Sequence, residues 1–163
     1  MEIRRMTLND DAEVVGNIYA NSWKAAYRGI VPQAYLDGLA GSMWLAVLRD
    51  EQYQSYLAMD GEAYIGASAV CAARDESMVG WGEIVSLYLL PTYFGSGYAE
   101  PLFRRVVEAL RMQGYQQIYL WVLEENARAR RFYEKQGFAA NGDRLVLTIE
   151  GKELMEVRYV LTV

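Results

Sequence analysis

"LYLLPTYFGSGYAEPLF", residues 87–103, runs from an apolar stretch through Pro91 and a Gly-Ser-Gly turn into a second, amphipathic stretch. It reads as a strand, a proline turn, a glycine loop and the start of a helix. Gly95 and Gly97 would let the backbone come close to an anion, toward which the unpaired N–H groups of the helix start would point. Spacing alone leaves two readings level: a phosphate site, or two glycines that only make a tight turn. Two other phosphate motifs fit less well. No glycine follows Gly97 in the dinucleotide pattern, where Glu100 stands, and no Lys-Ser/Thr pair follows as in a P-loop.

Working outward, "GEIVSLYLL" (82–90) is the strand stopped by Pro91, and "GYAEPLFRRVVEALRM" (97–112) with "QQIYLWVL" (116–123) completes a strand-helix-strand unit. Such a crossover implies parallel or locally splayed neighbours. Upstream, "SYLAM", Asp60-Gly61 and "EAYIGASAVCA" predict a hairpin on a type I′ turn. "EIRRM" (2–6) alternates like a strand. "TLNDDAEVVGNIYANSWKAAY" (7–27) places Leu8, Val15, Ile18 and Trp23 at helical spacing behind the capping-type Asn9 and Asp10. "IVPQAYLDGLAGSMWLAVLRD" (30–50) predicts one or two short helices, with Pro32 in a first turn. Downstream, "NARARRFYEKQGF" (126–138) is an amphipathic helix capped by Asn126 and ended by Gly137, and residues 144–163 form a hairpin around Glu150-Gly151. The order is β, two or three helices, β, β, β, α, β, α, β, β: an α+β chain with a mixed sheet.

At 163 residues the chain fits one domain that buries about 70% of its unfolded surface. It has no histidine and one cysteine. A Ser-His-Asp or Cys-His nucleophile, and a zinc site built on His or paired Cys, therefore cannot form, and no metal is expected. Cys71, in "YIGASAVCAA", is expected to be a small buried side chain. With no internal disulfide possible, no secretory leader and no run of 18 apolar residues, a cytoplasmic protein without membrane contact is expected. The formal charge of -5 argues against nucleic acid and favours a cationic substrate.

The second informative stretch is "LWVLEENARARRFYEKQGF" (120–138). Together the two stretches, spanning about residues 81–138, resemble the GCN5-related N-acetyltransferase family. The proline turn and glycine loop look like its pyrophosphate motif, and the Asn, Ala, Phe-Tyr, Gly-Phe spacing looks like the motif that follows it. The resemblance implies a single N-acetyltransferase domain over residues 1–163, with a mixed central sheet flanked by helices and splayed at an acetyl-CoA site. It implies that the backbone amides of Gly95, Ser96, Gly97, Tyr98 and Ala99 hold the coenzyme pyrophosphate. Leu87, Tyr88 and Leu89 would pair with the pantetheine arm like an added strand. Asn126 matches the coenzyme-contacting Asn, Phe132 the adjoining apolar contact, and Tyr133 the tyrosine that protonates the departing thiolate. One position departs from the pattern: Phe94 stands where the family usually has Arg or Gln, so a side-chain contact to phosphate is missing. Purely structural roles remain open for Asn126 as an N-cap and for Tyr133 as a core aromatic. Trp121 and Val122 read as strand packing.

The implied reaction moves an acetyl group from acetyl-CoA to the amine of a small molecule, peptide terminus or protein lysine. An amine of pKa ~10.4 costs about 4.6 kcal/mol to neutralise at pH 7. Without histidine, Glu83 is the candidate base or relay, on the strand leading to the thioester and matching a glutamate frequently found there in the family. A carboxylate of pKa ~4.3 is about six units too weak for direct proton removal, so a water relay or desolvation is required. A purely structural role, in which Glu83 only hydrogen-bonds its neighbours, stands level with that one. Tyr27 and Trp23 fall where related enzymes shape the acceptor pocket, with core packing as the other role for each. A different class of function, an acyl-CoA-binding sensor without turnover, would use the same loop. An exposed edge of the carboxy-terminal hairpin could also pair two copies into a homodimer.

Overall fold

The computed structural model describes residues 1–163. Seven strands form one sheet: β1 (Glu2–Arg5), β2 (Gln54–Asp60), β3 (Ala63–Ala72), β4 (Gly82–Leu89), β5 (Gln117–Leu123), β6 (Ala139–Ile149) and β7 (Lys152–Thr162). Their order is β1-β2-β3-β4-β5-β7-β6, with every pair antiparallel except β4 and β5. Helices α1 (Ala12–Ala26), α2 (Gln33–Asp37) and α3 (Leu45–Arg49) precede β2, α4 (Ala99–Met112) connects β4 to β5, and α5 (Ala127–Lys135) connects β5 to β6. No helix is long and apolar enough to cross a membrane.

The element order matches the sequence reading, and local chemistry corrects three details. The cap of α1 is Asp11, whose carboxylate accepts from the Glu13 and Val14 amides. Asp10 is instead taken by Arg4, Thr7 and Tyr64, and Leu8 is 97% exposed, outside the apolar stripe. The β2-β3 pairing sets Asp60 opposite Ala63, so the loop is Gly61-Glu62 with positive φ at Gly61 alone, the type II′ pattern and not I′. Pro32 precedes α2 as its cap. The last hairpin does turn on Glu150 and Gly151, both at positive φ.

The sheet is covered on both faces. Leu102, Phe103, Val106, Ala109 and Leu110 of α4, at helical spacing, pack with Ile84, Ile118, Leu120 and Tyr159. On the other face Val15 and Tyr19 of α1 pack with Leu57 and Ala67. Two glycines set how closely α1 is seated. A Cβ on Gly16 would fall inside contact distance of the Gly41 carbonyl, and one on Gly41 would meet Asn17.

Where β4 meets β5 the sheet nearly parts. β4 carries a bulge: Val70 pairs Ile84 and Ala69 pairs Ser86, leaving Val85 extra. A bulge bends its strand and increases the local twist. Beyond it β4 leaves β5, which pairs only Gly82 with Ile118 and Glu83 with Tyr119. The extra residue also resets the alternation. Glu83, Ser86 and Tyr88 share the α1 side, where they meet Tyr119, Tyr19 and Trp23, while Ile84, Leu87 and Leu89 join the α4 side.

Gly16→Ala should test the close seat of α1. Helix propensity alone would favour alanine by about 1 kcal/mol, but overpacking against a backbone carbonyl costs about 1–3 kcal/mol. A lower urea midpoint is the expected outcome; a higher one would mean that α1 can move away freely.

Candidate active site

The gap between β4 and β5 opens into a cavity of about 930 Å³ lined from both faces of the sheet. Its first wall is the free edge of β4. From Ile84 to Leu89 that strand bonds β3 on one side and no strand on the other, which leaves backbone donors and acceptors toward the gap.

The edge ends at the glycine loop. After the turn Pro91–Tyr93, Gly95 and Gly97 adopt φ of 75° and 88°, in the left-handed region that glycine alone enters without strain. The N–H groups of Gly95, Gly97, Tyr98 and Ala99 have no acceptor in the protein. The Ser96 amide is spent within the turn on the Tyr93 carbonyl, to which its hydroxyl also donates, so one of the five amides expected at this loop is already occupied. Gly95, Gly97 and Ala99 line the cavity, whereas Tyr98 packs its ring against Tyr93 at 5.4 Å. Four free donors at the start of a 14-residue helix are the kind of groups that an anion would satisfy.

Helix α5 forms the opposite wall. Asn126 caps it, accepting from the Ala129 amide at 3.2 Å, and also lines the cavity. Phe132 meets Phe103 edge-on and Tyr133 meets it tilted, with centroids 5.4 and 5.6 Å away. Burial and the nearby Tyr88 phenol push the Tyr133 hydroxyl well above the usual tyrosine range, and no protein group bonds it. It therefore stays protonated as a donor facing the cavity. Arg128 projects over the Phe94 ring at 3.9 Å. Its charge has no carboxylate partner, and desolvation alone acts on it, downward. The aromatic at position 94 thus supports a guanidinium brought from another element.

From the α1 side, the Trp23 indole N–H donates to the Tyr88 hydroxyl at 2.9 Å, and Tyr27 stands edge-on to Trp23 at 4.7 Å. Tyr27, Tyr88 and Tyr133 form a cluster in which burial raises every phenol. Trp121 lines the cavity with Arg158 over its ring at 4.5 Å, while Val122 belongs largely to the core. Lys152, at the tip of the β6-β7 hairpin, donates to the Ile30 carbonyl and ties the hairpin to the segment after α1.

Glu83 reaches the cavity wall with its carboxylate fully engaged. Arg74 donates to it through Nη2 at 2.6 Å, Nε at 3.1 Å and its backbone amide at 3.1 Å, and Tyr119 through its hydroxyl at 2.7 Å. Burial raises its pKa, but the Arg74 and Tyr119 bonds outweigh that and leave it lowered. A carboxylate so held is a weaker base than a free one and has little lone-pair capacity left for a water. Sequence reasoning passed over Glu156 on β7, which lines the same cavity half-buried, and whose pKa burial raises. Its only signal is its position in "KELMEVRYV", where it shares a strand face with the buried Leu154.

The acetyltransferase (GNAT) family model matches residues 14–138. An N-acetyltransferase of Archaeoglobus fulgidus is 34% identical over 142 residues, 83% of this chain and 91% of that protein. One of Mycobacterium tuberculosis is 44% identical over 62 residues, and there the match spans 38% of this chain and 40% of the relative's length. The structure of yncA from Salmonella typhimurium, which contains its cofactor acetyl-CoA, superposes with a TM-score of 0.77 over 99% of this chain and 93% of that one, at 19% identity.

The Glu83 pair generates a stability prediction. A depressed carboxylate contributes stability above its unfolded pKa and loses it as pH falls through the folded value. Glu83→Gln should therefore lower stability by about 1–3 kcal/mol at pH 7, and the difference from wild type should shrink below about pH 4.5. Urea titrations at pH 7 and pH 3.5 measure both; a gap that widens in acid would contradict the ion pair.

Proposed function

Because the chain belongs to the GNAT acetyltransferase family, we propose that it transfers the acetyl group of acetyl-CoA directly to an amine held in the β4-β5 gap. The observation that carries this reading is a continuous arrangement on one cavity wall: the free edge of β4 leads into four unpaired amides at the start of α4, with an unbonded tyrosine hydroxyl across from it. An extended arm containing amides would add to the β4 edge at Leu87, Tyr88 and Leu89 as a strand does. A pyrophosphate at its end would meet the amides of Gly95, Gly97, Tyr98 and Ala99. Asn126 and Phe132 would flank the arm from α5.

The thioester then lies by Tyr133. The amine nitrogen attacks the carbonyl carbon, the C–N bond forms, the C–S bond breaks with its electron pair on sulfur, and sulfur receives a proton. A phenol of pKa ~10 gives its proton to a thiolate of pKa ~8.5 uphill by about 2 kcal/mol, and burial of the phenol increases that gap. Tyr133 therefore acts by a hydrogen bond that strengthens as charge builds on sulfur, which stabilises the transition state more than the ground state. Tyr27 and Trp23 would shape the acceptor side, Trp23 by holding the Tyr88 hydroxyl.

Arg128 would supply the phosphate contact that Phe94 cannot. A guanidinium stacked on an aromatic ring is preorganised and still has donors to offer an anion.

Single-turnover acetyl transfer with saturating acetyl-CoA and a mixed panel of amines tests the reaction. Wild type should release thiol in step with N-acetylation, and Tyr133→Phe should lower that rate by roughly 10² with coenzyme affinity kept. Binding of acetyl-CoA with no thiol release from any amine would instead describe a sensor. Separately, Arg128→Ala should weaken acetyl-CoA roughly tenfold, the scale of one charge-assisted hydrogen bond, and flatten the salt dependence of binding. Unchanged calorimetric affinity would return Arg128 to a surface role.

A further inference from the structure

Four carboxylates line the cavity: Asp75, Glu83, Glu100 and Glu156. Three are already matched. Asp75 is bound by Arg158, Glu83 by Arg74, and Glu100 by Arg104 at 2.6 Å. Glu156 has no hydrogen bond and no ion pair, although it is half-buried. Leaving a carboxylate unmatched in a partly dry site costs stability, and such a group persists where a ligand supplies the missing charge.

Its surroundings define the ligand. Directly across on β5 and β6 stand Leu123 and Leu145, and Leu147, Ile149 and Val31 continue an apolar wall. The charged and titratable groups facing Glu156 are Tyr27 at the end of α1, Tyr88 on β4 and Arg74 after β3. Arg158, two residues along β7, is held by Asp75 and Asp143. Glu156 lines the same cavity as the phenol cluster of Tyr27, Tyr88 and Tyr133.

Resting on the acetyl-transfer reading above, we infer that Glu156 receives the ammonium group of the acceptor and takes its proton, and that the acceptor is a primary amine carried on an apolar or aromatic body. The ammonium proton passes to the Glu156 carboxylate, the freed nitrogen pair attacks the thioester, and the second N–H proton leaves as the thiolate is protonated. In water the first transfer is uphill by about 8 kcal/mol. Burial raises the acid and lowers the ammonium, so desolvation of the pair narrows that gap. Glu83, held by Arg74 and Tyr119, serves as a fixed part of the wall.

The test compares wild type and Glu156→Gln with 2-phenylethylamine and with spermidine as acceptors, alongside acetyl-CoA affinity and melting temperature. Wild type should prefer 2-phenylethylamine in kcat/KM. Glu156→Gln should lose about 10² in kcat/KM, most steeply at low pH, while its acetyl-CoA affinity stays within about threefold. The variant should also melt higher than wild type at pH 8 and equally at pH 4. A carboxylate whose folded pKa is raised destabilises the fold once pH rises above its unfolded value, and glutamine lacks that charge. Wild-type transfer that Glu156→Gln matches within threefold would overturn the role of Glu156 and leave the acetyl-transfer reading standing. A higher kcat/KM for spermidine would overturn the acceptor class. Coenzyme binding by wild type with no transfer to either amine would defeat the acetyl-transfer reading, and this inference with it.

Discussion

The Ser86 hydroxyl accepts the Ala69 amide at 3.0 Å and lies 2.9 Å from the Tyr19 hydroxyl, while Ser68 donates to the Ser86 carbonyl. These bonds occupy the place where Val85 is extra in β4, and they satisfy the backbone group that the bulge would otherwise strand in a dry interior. An unmet amide there would cost about 1–3 kcal/mol, enough to favour a regular strand. With the bulge held, β4 bends from β5, its far edge stays free, and the gap exists. Everything the cavity offers follows from this: the strand edge, the route of α4 across the sheet, and the meeting of side chains from opposite faces.

The parts of the site that are local in sequence were readable there. A glycine loop before a helix and an asparagine before another announce themselves within a few residues, because turn and cap chemistry acts over one turn of chain. The order of elements along the chain was likewise legible from alternation, and the last hairpin from Glu150-Gly151, whereas the placing of β7 between β5 and β6 in the sheet carries no local signal. Where two local solutions competed, the reading slipped. Asp10 and Asp11 are both good caps, and only the distant Arg4 and Tyr64 decide that Asp10 is used elsewhere. The state of Glu83 depends on Arg74 and Tyr119, and the openness of Glu156 on an absence of partners that no spacing rule records.

Electrostatically the cavity is divided. At the α4-α5 end lie free amides and the unmatched Arg128, and at the β7 end the unmatched Glu156. Between them the charges are neutralised by Arg74-Glu83 and by Arg158, which lies between Tyr119 and Trp121 with its Nε unbonded. An anion and a cation would therefore settle at opposite ends, and the amine nitrogen, once its proton has passed to Glu156, would meet the uncharged thioester among the tyrosines. In a chain without histidine this separation rests wholly on guanidinium, carboxylate and phenol groups. Cys71 takes no part, since burial raises its thiol to about 11.

Two residue pairs, Gly82 with Ile118 and Glu83 with Tyr119, are all that joins β1 through β4 to β5, β7 and β6 by backbone. The chain thus folds as two half-sheets with a short seam, held otherwise by side chains: α4 packing across it and the Tyr119–Glu83 and Arg158–Asp75 bonds. A molecule seated along the open part of that seam touches both halves and acts as a removable cross-link. Without it, the backbone amides bordering the opening should be the first in the sheet's interior to trade their hydrogens with water, while those of β2 and β3 stay protected by neighbours on both sides.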